Sequence, residues 1–269
     1  MADGGWRMAD RGLACRLPSG ICHPITRCGV NGVVVAETVR RCVTSIAYWA
    51  FVALLAIISL GLARFDRPGT AWPSLVSLLA YIIGCTAIGP EFSSGTLQLI
   101  LTKPVNRSVY LVSRVAGVVS AIWIAALIAF SFELLGRVLW VGAVRLDIIG
   151  AILINTFVDT LLICALLVFF ASFTRAYFNI VIYMVLMIGL GVAQGMVSMF
   201  RSMSGTLGAW LATHDIVDRI LASINSNLFP DAPPRLDWHW LLMIASNAAI
   251  AIVAACFIFR RREVPYGAD

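Results

Sequence analysis

Apolar runs long enough to cross a membrane recur along this chain, and short polar segments separate them. The runs cover about residues 43–63, 73–89, 109–135, 148–171, 180–200 and 240–259. A transmembrane α-helix needs about 20 consecutive, mostly apolar residues. The pattern therefore predicts an all-α membrane protein with six transmembrane helices, which form a single domain over residues 35–262.

Weaker patterns flank these runs. Residues 1–34 lack helical periodicity and predict a disordered cytoplasmic extension, and residues 263–269 form a tail. Residues 33–43 have amphipathic spacing, which predicts either an interfacial helix or a basic anchor for the first span. A second amphipathic stretch, residues 213–224, predicts a short outer helix between spans five and six.

Composition and charge support a membrane protein. The chain is 60% hydrophobic and 13% charged, with a mean hydropathy of +0.91, whereas an ordinary soluble domain is about 25% charged. The net charge of +6 comes from basic residues concentrated on one predicted side of the membrane, as the positive-inside rule expects. It therefore indicates a multi-pass membrane protein with both termini cytoplasmic, and no nucleic-acid partner.

The segment between the second and third spans, residues 91–107, is polar but has leucines in its middle. Gly95 can end the helix that precedes it, and Pro104 ends the short helix that follows Gly95. Such a segment predicts a short helix at the membrane surface that contacts a partner protein. The alternative is a connector that contacts only lipid headgroups and its own helix bundle.

The same segment resembles the signature of the type-2 ABC-exporter permeases. The matching residues are Glu91, Gly95-Thr96, Leu97, Leu99, Leu101, Thr102-Lys103-Pro104-Val105 and Arg107. In that family this stretch is the coupling helix that docks on the ATPase subunit. The resemblance therefore assigns ATPase docking to Glu91, Gly95, Thr96, Leu97, Leu99, Lys103, Pro104 and Arg107.

The resemblance also implies a function. It makes the chain the membrane-spanning permease subunit of an ATP-driven ABC exporter, which forms the translocation path in the lipid bilayer. Its implied partners are a separate ABC ATPase subunit and a second permease subunit, in a homodimer or a heterodimer. The transported substrate does not follow from the sequence.

ATP hydrolysis is expected on the partner chain. Lys103, the single lysine, stands in a Thr-Lys-Pro context, which excludes the G-x-x-x-x-G-K-[ST] phosphate loop. The three histidines do not have the spacing of a zinc protease site. We therefore expect that the chain is not an enzyme, that it binds no cofactor or metal, and that ATP and magnesium bind to the ATPase.

One acidic residue stands out within the spans. Asp159 lies near the middle of span four, where a carboxylate costs about 3 kcal/mol on insertion scales. With Asn155, Thr156 and Thr160 it forms one helical stripe. The stripe either lines the path or a subunit interface, or is satisfied locally. Two other functions remain open: a proton-linked secondary carrier that uses Asp159, and a membrane scaffold that recruits a cytoplasmic protein without transport.

Span five contains Gly191 and Gly195 in a G-x-x-x-G pattern. Glycines at this spacing let two helix backbones approach closely. The pattern predicts helix packing, either within the chain or between subunits.

Overall fold

The computed structural model describes residues 30–64, 72–85, 107–142, 146–174, 178–202, 216–229, 233 and 235–261. Within these ranges the chain is all-helical. The helices are α1 (Gly32–Val43), α2 (Ile46–Ala63), α3 (Trp72–Cys85), α4 (Arg107–Trp140), α5 (Leu146–Ala171), α6 (Phe178–Ser202), α7 (Ile216–Leu228) and α8 (Trp238–Arg261).

Five of these helices, α2, α4, α5, α6 and α8, are long and apolar enough to cross a membrane. The second predicted span, residues 73–89, is α3, which has 14 residues in the described part of the chain. At 1.5 Å per residue it is about 21 Å long, less than the roughly 30 Å of a hydrocarbon core. The six-span count therefore stays a prediction.

Helix α4 lies at the centre of the bundle. It packs against α1, α2, α3, α5 and α8. The side of α4 that faces its neighbours is rich in alanine, and Ala121, Ala125, Ala126 and Ala129 are fully buried. Small side chains let neighbouring helices approach closely, which supplies packing energy where lipid removes the hydrophobic driving force.

Two glycines of α4 show how closely helices cross it. A methyl group at Gly117 would lie 2.6 Å from Thr38 Cβ on α1, and one at Gly136 would lie 2.7 Å from Ala63 Cβ on α2. Only a residue without a side chain fits at either crossing. The contacts place α1 at the beginning of α4 and the end of α2 near its last turn.

The amphipathic stretch 33–43 is helical in α1. Asn31 caps this helix by accepting a hydrogen bond from the Val33 amide, 3.1 Å away. The helix begins at Gly32, inside the predicted extension 1–34, and residues 1–29 lie outside the described ranges. The other amphipathic stretch, residues 213–224, corresponds to α7, which begins at Ile216 and continues to Leu228.

Candidate functional site

Most residues of the predicted docking segment lie outside the described part of the chain. These are Glu91, Gly95, Thr96, Leu97, Leu99, Lys103 and Pro104. The eighth, Arg107, is the first residue of α4. The structure thus describes the helices on both sides of the segment: α3, which ends at Cys85, and α4.

Hydrogen bonds show which helix ends meet around this segment. The Asn179 side-chain amide, at the start of α6, donates to the carbonyl oxygens of Cys85 and Leu167 at 3.5 and 3.4 Å. The backbone N–H of Asn31 donates to Ser113 Oγ, near the start of α4, at 2.7 Å. Thr38 of α1, Ile82 of α3 and Arg114 of α4 also line one cavity. The end of α3, the starts of α4 and α6, and α1 therefore lie at one end of the bundle, which we call the α1 face.

The α1 face is rich in arginine. Cys256 of α8 lies close to Ser108 of α4, which brings the last turn of α8 to the same face. The described arginines here are Arg40, Arg41, Arg107, Arg114, Arg260 and Arg261. Glu37 accepts hydrogen bonds from Arg40 at 2.9 Å and from Arg41 at 3.0 Å, and these donors lower the pKa of its carboxyl.

The opposite end of α4 contains a buried ion pair that the sequence reasoning missed. The Arg137 Nε donates to Glu133 Oε1 at 3.0 Å, and their side chains are 4% and 3% exposed. The Trp72 indole N–H of α3 donates to the other carboxylate oxygen. The predicted span ended at residue 135 and left Arg137 in a loop, whereas α4 continues to Trp140. The Glu-to-Arg spacing of four residues was the available signal, since such pairs meet on one helix face.

Asp159 belongs to a polar cluster between α3, α5 and α6. Its Oδ2 accepts a hydrogen bond from Ser77 Oγ at 2.9 Å. One turn further along α3, the Tyr81 hydroxyl lies 3.3 Å from the Tyr183 hydroxyl of α6. The carboxylate is close enough to interact electrostatically with both tyrosines. We call Ser77, Tyr81, Asp159 and Tyr183 the Asp159 cluster; Ser77 and Tyr81 were missed, although their spacing puts them on one face of α3.

The other members of the predicted stripe do not join this cluster. The hydroxyls of Thr156 and Thr160 donate to carbonyl oxygens of their own helix at 2.7 and 2.8 Å. The Asn155 amide donates to the Pro233 carbonyl at 2.8 Å and so ties α5 to the segment before α8. Thr156 and Thr160 are thus bonded within their own helix, whereas Asp159 contacts another helix.

The glycines of the G-x-x-x-G pattern lie in open space. A methyl group at Gly191 or at Gly195 would meet no atom within 4 Å in the described part of the chain. Most of α6 is exposed, and only 6% of its most apolar 18 residues are buried within the described part of the chain. The described residues therefore provide no contact within the chain at these glycines, and packing against a second subunit stays a prediction.

Fold and sites together define a class: a multi-pass helical membrane protein with a basic face at one end of its bundle. A family model described as "ABC-2 family transporter protein" matches residues 70–264, and the chain belongs to that family. It is thus a permease subunit of an ABC transporter, and the resemblance noted in residues 91–107 is confirmed at the family level. A search of curated proteins found no match.

Proposed function

We propose that the chain is the permease subunit of an ATP-driven exporter in the bacterial inner membrane and that it docks a separate ATPase through residues 91–107. The observation that carries this proposal is the family match, which extends over residues 70–264 and includes the whole segment. ABC transporters need an ATPase, and the sequence of this chain has no phosphate loop. ATP and magnesium therefore bind to a partner chain.

The position and charge of the α1 face support docking there. Residues 86–106 connect α3 to α4, so both ends of the segment start from this face. Arginines of α1, α4 and α8 gather at it, and basic residues mark the cytoplasmic side of membrane proteins. The proposed topology places both α1 and the end of α8 in the cytoplasm, where an ATPase is found.

A second permease subunit, identical or homologous, packs on α6 in this proposal. Helix α6 is the most exposed of the five long apolar helices. Gly191 and Gly195 leave its backbone open to another helix. The Asp159 cluster lies between α6 and the central helices and lines the path beside this interface.

Movement of the docked ATPase is transmitted through rigid helices. The segment 91–107 leads directly into α4, and α3 precedes it, so a shift of the segment tilts both helices as units. The Ser77–Asp159 hydrogen bond links α3 to α5, so relative movement of these helices inside the membrane changes its length. Such tilting exposes the path alternately to the two sides.

Copurification tests the proposal. The full chain is extracted from its native membrane in mild detergent and captured, and bound ATPase activity is measured. We expect wild type to retain an ATPase. The variants Glu91→Ala and Gly95→Pro should retain at least about tenfold less ATPase activity, which corresponds to a loss of about 1.4 kcal/mol in binding free energy. Asp159→Asn is the matched control: it changes a carboxylate inside the membrane and should retain the ATPase fully.

Two results would overturn the docking role. Equal retention by the Glu91 and Gly95 variants and by wild type would show that residues 91–107 do not hold the ATPase. The absence of any ATPase from the wild-type preparation, with transport that follows a proton gradient and stops in Asp159→Asn, would favour the carrier. Asp159 supports that second candidate because none of the ion pairs among the described residues involves it.

A further inference from the structure

A cavity of about 420 Å³ opens at the α1 face between α1, α2, α3 and α4. Its volume is within the range of small-molecule sites. The described residues around it are mostly apolar; its walls include Phe51 of α2, Leu79 and Ile82 of α3, and Val118 of α4. The two charged side chains among them, Arg41 and Arg114, are both cationic.

Arg114 is held in place by α1. Its Nη1 donates to Thr38 Oγ1 at 2.9 Å, and the Thr38 hydroxyl donates to the Val34 carbonyl at 2.7 Å. Thr38 is 2% exposed and lies over Gly117. This contact fixes the position of the guanidinium at the edge of the cavity.

Arg41 lies on the same helix as Arg40, but the two arginines differ in one respect. Both donate to Glu37, and both side chains are exposed, at 73% for Arg40 and 63% for Arg41. Arg41 borders the cavity, and Arg40 is not among its lining residues. The chain thus provides a cation at the cavity and a matched cation beside it.

We propose that this cavity binds one anionic membrane phospholipid. Its phosphate lies against Arg41 and Arg114, and the first carbons of its acyl chains lie along Phe51, Leu79 and Val118. Guanidinium groups bind phosphate oxygens through charge-assisted hydrogen bonds, and basic pockets between membrane helices suit anionic headgroups. The apolar walls favour a lipid over a free phosphate, because a free phosphate would leave these walls exposed to water.

Native mass spectrometry of the full chain tests the lipid site. Protein in detergent is supplied with phosphatidylglycerol or with phosphatidylcholine, and the lipid retained on each molecule is counted. We expect one phosphatidylglycerol to be retained in preference to phosphatidylcholine. Arg41→Gln and Arg114→Gln should each lower this retention about tenfold, the loss of one charged contact, whereas Arg40→Gln should leave it unchanged.

A second variant tests the cavity itself. Ala47→Phe keeps both arginines and places a ring on an exposed residue of the lining; it should lower retention of phosphatidylglycerol. Because Arg41 and Ala47 are exposed, these two variants test the site even if Arg114→Gln does not fold.

Three outcomes would overturn the proposal. Equal retention of phosphatidylcholine would exclude recognition of the headgroup charge. An equal loss in Arg40→Gln and Arg41→Gln would indicate general attraction to a basic surface. Displacement of the lipid by millimolar inorganic phosphate would assign the site to a soluble anion. The proposal is independent of ATPase docking, because none of these measurements requires the partner.

Discussion

The two ends of α4 hold arginine in opposite ways. At one end Arg137 is buried against Glu133, and Trp72 donates to the same carboxylate. At the other end Arg114 borders an open cavity and is held by the neutral Thr38. A glycine lets a neighbouring helix approach closely at each end. The closed end keeps its ion pair buried within the bundle, whereas the α1 face is the end at which we propose contacts with an ATPase and a lipid.

The largest expected effect is at the closed end. Glu133→Gln removes the negative partner of a guanidinium that stays buried, and breaking such a pair costs about 3–5 kcal/mol of stability. Thermal unfolding in detergent, with the yield of folded protein from membranes, measures the loss. The double variant Glu133→Leu/Arg137→Leu should recover most of the lost stability, because neither charge of this pair then remains. A single variant as stable as wild type would refute the stabilising role of this end.

A smaller effect is expected where α1 lies on α4. In Gly117→Ala the new methyl group would be 2.6 Å from Thr38 Cβ and 3.1 Å from the Val35 carbonyl oxygen. Overpacking of this kind costs about 1–3 kcal/mol, so α1 must shift and the unfolding temperature should fall. Gly150→Ala in α5 is the matched control, since a methyl group there meets no atom within 4 Å in the described part of the chain and improves helix propensity by up to about 1 kcal/mol. If both variants behaved alike, the close crossing would be unimportant.

The smallest effect concerns pH. The hydrogen bonds from Arg40 and Arg41 lower the pKa of Glu37 below its usual 4.5. This contribution to the stability of α1 is present above pH 4.5 and is lost as the pH falls through the lower, folded-state pKa. Amide exchange in α1 at about pH 3 and at neutral pH, compared at each pH with Glu37→Gln, measures it. Protection should differ between the two proteins at neutral pH and converge in acid; a constant difference would contradict the assignment.

The helical bundle could be predicted from the sequence because long apolar runs have few alternatives in a bilayer. The amphipathic spacing of residues 33–43 left an interfacial helix and a basic anchor open, and the structure has the helix α1 there. The third span was predicted to end at residue 135 with Arg137 in a loop, whereas the helix α4 continues to Trp140. The charge of Arg137 is compatible with the helix because Glu133, four residues earlier, pairs with it, and that compensation depends on tertiary burial.

The candidate sites were predicted less well because they depend on neighbouring helices. Asp159 was singled out by its cost in a span, but its partner Ser77 is 82 residues away in sequence. The spacing of Thr156 and Thr160 put them on the same stripe, whereas their hydroxyls bond to their own helix. No local pattern pointed to the cavity between Arg41 and Arg114, because it forms only where α1 lies across α4.

The proposed docking of an ATPase at residues 91–107 is tested most directly by photo-crosslinking in native membranes. A photoreactive amino acid replaces Leu97 or Leu99 in the segment or, as the control, the exposed Leu139 at the opposite end of α4. We expect the ATPase subunit to be crosslinked from Leu97 or Leu99 and not from Leu139. A crosslink to the ATPase from Leu139, or none from either position in the segment while the ATPase copurifies with the permease, would contradict the proposed docking surface.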